Sequence, residues 1–116
     1  MSGFGHFAST AREVEREIAK HGVLLGIDWN DAAPLRVLAR EALTCSSAAR
    51  LALLRSADPR ERSKGELFAL AELMLDLMRQ SAQIGIHTSG GPIWKALGRA
   101  LYEEAEALGA RSAEHG

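Results

Sequence analysis

The chain is 116 residues long, 47% hydrophobic and 25% charged, with a formal net charge of -1. That is one domain of ordinary globular composition, long enough to bury about two-thirds of its unfolded surface. The near-zero charge excludes a global field that would gather nucleic acid or an acidic membrane. The single cysteine, Cys45, excludes an internal disulfide framework and suits a reducing compartment.

No stretch approaches the ~20 apolar residues of a membrane-spanning helix. The first ten residues lack the basic-then-apolar order of a secretory signal. The expected location is therefore the cytoplasm. Aromatic content is only 5%, so the core must be built from Ala, Leu, Ile and Met, which favour helix over strand. The excess of Arg over Lys and the abundance of Ala fit a GC-rich genome.

In chain order, residues 1–9 contain Gly3 and Gly5 beside Phe4 and Phe7, and read as an irregular arm. Thr10 with Glu13 is a capping-box pair. It predicts a first helix to about Gly22–Gly26, with Ala11, Val14, Ile18 and Leu25 on its apolar side. A loop at 26–31 follows, with Asp28 or Asp31 as cap and Pro34 in the next first turn. The second helix spans about 33–55, with Leu35, Leu38, Ala42, Ala49 and Leu53 as its stripe. Thr44-Cys45-Ser46-Ser47 is its weak point, because these side chains compete for backbone hydrogen bonds.

Asp58-Pro59 opens a third helix that runs to Ile84, with Gly85 as its stop. Leu67 to Met78 is apolar nearly all round, which only a helix with neighbours on several sides requires. Pro92 opens a fourth helix ending at Gly109, with Ile93, Leu97, Leu101 and Leu108 as its stripe. Gly98 inside it costs ~1 kcal/mol against Ala and implies close approach of another helix. Residues 110–116 read as a frayed tail. The whole is an all-α, four-helix bundle-like single domain over 10–109, with antiparallel helices, short loops and a long central third helix.

Catalytic and metal patterns are weak. No Glu-x-x-His occurs, and the four histidines lie in separate regions. Glu17–His21 and Glu103–Glu106 give pairs of ligands without a complete set, so surface ion pairing is the preferred reading. Cys45 has no histidine nearby in sequence and reads as a buried, inert thiol. Glu72 and Asp76, four apart, read as a solvent strip, since like charges repel if buried. The sequence gives no reason to expect an enzyme, a metal or a cofactor.

Three binding readings remain. The helix start at Ser89, Gly90 and Gly91, with Lys95 near, has the free amides and glycines of an anion-binding turn. The segment 34–64 carries a surplus of four positive charges, with Arg50, Arg55, Arg60, Arg62 and Lys64 as a candidate basic patch for nucleic acid. It lacks the compact turn and short recognition helix of a helix-turn-helix. The preferred reading is a regulatory or adaptor protein that acts by protein–protein interaction and self-associates as a homodimer. Its expected interface is Leu67, Leu70, Met74 and Leu77 with Gly98.

Overall fold

The computed structural model describes residues 3–83 and 91–115, with side chains described for 10–80 and 91–109. The described residues are all-α: α1 is Gly3–Leu25, α2 Ala32–Thr44, α3 Ser47–Leu54, α4 Pro59–Gln83 and α5 Pro92–His115. Both proline-opened helices begin where the sequence predicts. Three boundaries differ.

The backbone of residues 3–9 is helical where an irregular arm is expected. Thr10 does not start a helix. Ala11, Val14 and Ile18 are buried, and once that turn is docked each residue added in front gains a hydrogen bond at little further cost. At the other end α5 runs past Gly109 to His115, through the segment expected to fray. Gly26 is the only described glycine with positive φ. Gly109 therefore makes no left-handed cap, and the helix continues through it.

The second predicted helix is broken into α2 and α3. Thr44 Oγ1 donates back to the Arg40 carbonyl at 2.8 Å. Cys45 then turns extended, with φ -71 and ψ 120. The Ser46 hydroxyl takes the Ala49 amide at 3.1 Å and starts a new helix. The short polar side chains thus supply the hydrogen bonds that let the backbone leave the helix. The break frees α3 to lie on α4, against Gly65. A Cβ added at Gly65 would stand 3.0 Å from Leu53 Cβ, so the missing side chain is what lets the two helices touch.

α4 is the central element and packs against all four other helices, most extensively α1 and α3. α2 packs chiefly on α5. Leu67, Met74 and Leu77 are buried within this single chain, Leu70 is half-buried, and Met74 is 0% exposed. The expected interface is therefore the internal core, and four neighbours account for the broad apolar girth of this helix. Gly98 is buried there too. A Cβ on it would stand 3.1 Å from Met74 Cε, so the close approach is made by α4 of the same chain.

Candidate interaction groove

The groove begins at the end of α1. Gly26 sits at φ 70, the Ile27 amide donates to the Gly22 carbonyl at 2.9 Å, and the Gly26 amide donates to Val23 at 3.3 Å. This is a Schellman-type ending, which caps the last carbonyls and swings the chain back. Trp29 returns onto Gly22, where a Cβ would meet the indole at 2.6 Å. The Asp28 carboxylate takes the Asn30 amide at 2.9 Å, a local turn that leads into α2.

The turn holds α2 apart from the start of α4. A groove of about 670 Å³ lies between them. Leu25, Ile27, Leu35 and Leu38 form its deeper lining, and Pro34 and Val37 its outer wall. Val37 is 59% exposed. Charges of both signs stand around it: Arg60 and Lys64 from α4, with Glu61, and Glu41 from α2. Lys64 Nζ lies 2.6 Å from Glu41 Oε2 and 5.7 Å from the Phe68 ring centroid. The Lys64–Glu41 pair and Glu61 also border a second hollow of about 450 Å³, between α2, α3 and α4. The last turn of α1 also exposes Val23 and Leu24.

The expected anion turn is already in use. Gly91 and Trp94 donate their amides to the two Glu15 oxygens, each at 2.9 Å. A carboxylate from α1 thus takes the place a soluble anion would occupy at the start of α5. Gly91 is needed for this, since a Cβ there would stand 2.8 Å from Glu15 Oε2. Lys95 is exposed, and Ser89 and Gly90 lie outside the described residues. Replacing Glu15 by Ala should cost about 1–2 kcal/mol in urea unfolding, the loss of a helix cap and a charged hydrogen-bond acceptor. Faster amide exchange at Gly91 and Trp94 would locate the loss. Unchanged exchange there would show that the cap does not form in solution.

Four of the five residues of the expected basic patch have partners within the chain. Arg50 pairs with Glu72, and Lys64 with Glu41. Arg62 donates to the Ser56 and Ala57 carbonyls at 2.9 and 3.3 Å. Arg60 Nη2 reaches the Leu25 carbonyl at 3.4 Å, at the negative end of α1. Only Arg55 of the five is exposed without a described side-chain partner.

Other singled-out residues also resolve. Glu17 pairs with Lys20 at 3.0 Å, and His21 turns instead toward α4. Its Nδ1 is 2.7 Å from Ser63 Oγ and its Nε2 is 3.0 Å from Glu66 Oε2. A hydroxyl, an imidazole and a carboxylate in line resemble a nucleophile relay. Ser63, however, is 3% exposed on a helix interior. A substrate carbonyl cannot reach its oxygen, and the three groups act as a cross-link between α1 and α4. Glu72 and Asp76 are exposed, as a solvent strip should be. Cys45 is half-buried at the end of α2 rather than inside a helix. Among the described residues no group of three or more His, Cys, Asp or Glu is placed to hold a metal ion. No described helix is long and apolar enough to cross a membrane.

Two features escape the sequence reading. Val37 belongs to a second apolar stripe on α2: Pro34, Val37 and Leu38, spaced three and four, sit beside the core stripe of Leu35 and Ala39. That combination is wider than one packed face needs. The other is Glu104, 2% exposed, which lies three residues after Leu101 and seven after Leu97 on the buried face of α5. Arg40 Nε donates to its Oε1 at 3.0 Å, and Arg36 Nη2 stands 3.5 Å from Oε2. A carboxylate on an apolar stripe, with two arginines four apart on another helix, is the available signal. No protein-family model matches the chain, and neither characterised proteins nor solved structures provide a match to it.

Proposed function

We propose that this chain is a protein-interaction module, regulatory or adaptor in role, that works by accepting an apolar helical surface in the groove between α2 and the start of α4. The observation that carries the reading is the groove itself: about 670 Å³, apolar in its depth, charged around its edge and open at Val37. Exposed apolar surface framed by polar groups is what binding sites between proteins present. The nucleic-acid reading is the less favoured one, since four of the five candidate cations already have partners within the chain. In this reading α1, α2, α4 and α5 are the members of a bundle-like body. α3 is a piece of the second helix laid over α4.

A photo-crosslinking amino acid at Val37, compared with one at exposed Glu106 on α5, tests the reading in the native cell. The expected result is a discrete protein adduct from position 37, either with another protein or with a second copy, and none from 106. Equal or absent labelling at the two positions overturns it.

A further inference from the structure

We infer that α3 is a flap, hinged at Cys45 and at the 55–58 turn, that opens over Phe68 while the rest of the fold stays intact. Phe68 is 4% exposed, yet it is the one buried apolar residue among those described that lies outside the connected core. The half-buried Leu53 and Leu54 of α3 are not packed against that core either. They sit on Gly65 of α4, where an added Cβ would stand 3.0 Å from Leu53 Cβ and 3.2 Å from Leu54. α3 and its seat on α4 thus form a satellite cluster beside the main core. Such a cluster can open at a lower free energy than global unfolding requires.

The other attachments of α3 are weak. It has eight residues, none of them buried. Among the described residues it packs on α4 and on no other helix. A helix so short does not hold its shape alone in water, so lifting it from α4 also melts it. Its ion pair to α4 joins Arg50 to Glu72, a carboxylate 62% exposed and well hydrated. Hollows flank it on both sides. One of about 260 Å³ is lined by Ser47 and Arg50 with Leu75 of α4. The other, of about 450 Å³, is lined by Ala49, Ala52 and Leu53 with Phe68. With open space on two sides, α3 gives up few van der Waals contacts as it leaves. The chain at both ends is already out of the helix: Cys45 is extended, and the Ser56 amide turns back to the Leu53 carbonyl at 3.1 Å. Ser56 Oγ to Glu61 at 2.5 Å, and Arg62 to the Ser56 and Ala57 carbonyls, hold the hinge rather than the flap. Opening runs the two hollows together into one trough along Gly65, Phe68 and Glu72, a single stripe of α4.

The test is native-state hydrogen exchange on the full-length chain across low urea concentrations. The amides of Arg50 to Leu54 should exchange together, at least about tenfold faster than those of Leu67 to Leu77 in α4, and with a smaller urea dependence. Ser46→Ala removes the hydroxyl that caps α3 at Ala49, and should quicken exchange in α3 about fivefold with the α4 rates unchanged. Gly65→Ala should act in opposite directions on the two helices. The new Cβ lifts Leu53 and speeds α3, while alanine strengthens α4 and slows it. A general loss of stability speeds both. 4-Fluorophenylalanine at position 68, followed by fluorine saturation transfer, separates a flap from a frayed helix. An opened flap gives a minor signal with the ring in water, and the Ser46→Ala chain has more of it. Exchange in α3 that coincides with that in α4 at every urea concentration overturns the inference. So does fast exchange in α3 with no minor fluorine signal in the Ser46→Ala chain.

Discussion

Replacing Arg36 and Arg40 together by alanine should cost about 3–5 kcal/mol of folding stability, a large share of what a domain of this size possesses. The reason lies in where the three side chains sit. Glu104 is 2% exposed, while the arginines are 51% and 50% exposed. The arginines keep much of their hydration in the folded state, and the carboxylate gives up nearly all of its own. Its Oε2 accepts no hydrogen bond among the described residues, so the two guanidinium groups carry most of the compensation. Arg36 also leans toward Glu103 at 3.7 Å, which leaves Arg40, bound through both Nε and Nη2 at 3.0 Å, as the stronger partner. Without either arginine a bare carboxylate stays trapped between α2 and α5.

The reverse deletion should be mild. Glu104→Met removes the buried charge at similar volume, and the arginines can turn outward into water. We expect a change within about 1 kcal/mol, and the triple variant Arg36→Ala, Arg40→Ala, Glu104→Met should regain most of what the double variant loses. Urea midpoints at constant slope measure all three. A double variant that loses only about 0–1 kcal/mol, the scale of a surface pair, would mean that Glu104 is hydrated in solution. The cluster joins α2 to α5, the largest contact that α2 makes.

What could be read from sequence was local chemistry. Pro59 and Pro92 mark helix starts because a missing amide is harmless only there. The weakness at 44–47 is legible because Thr44 and Ser46 hold their hydrogen-bond partners within four residues. The ends at residues 3–9 and after Gly109 are misjudged for one reason: a glycine or a capping pair only lowers helix stability locally, and neither compels an ending. Long-range pairing is another matter. Arg40 and Glu104 are 64 residues apart, and Glu15 caps a helix 76 residues later. No periodicity within one helix reports such partners.

The girth of Leu67–Met78 shows the same limit. Its pattern correctly requires several neighbours, yet pattern alone cannot say whether they come from the same chain. In the structure they do: α1, α2 and α5 pack on α4, and the break at Cys45 adds α3 as a fourth neighbour.

Met74→Ala should cost about 2–5 kcal/mol, and Gly98 should decide how much of that can be recovered. Met74 is 0% exposed, and its methyl group fills the space above Gly98. Truncation leaves a cavity that two packed helices close only in part, so the lost transfer energy and the void add together. In the intact protein Gly98→Ala brings two opposed terms. Helix propensity favours it by ~1 kcal/mol, but the new Cβ would stand 3.1 Å from Met74 Cε and 3.5 Å from Met78 Cε. A flexible thioether end can yield a few tenths of an ångström, so the net should be near zero. With Met74 already cut back, that obstacle is gone and the added methyl enters the void. Gly98→Ala should then stabilise by about 1–2 kcal/mol. The checkable quantity is the difference between the two backgrounds, a coupling of ~1 kcal/mol or more in a double-mutant cycle. Strict additivity would mean that α4 and α5 do not meet at this point, and the explanation for a glycine inside α5 would be lost with it.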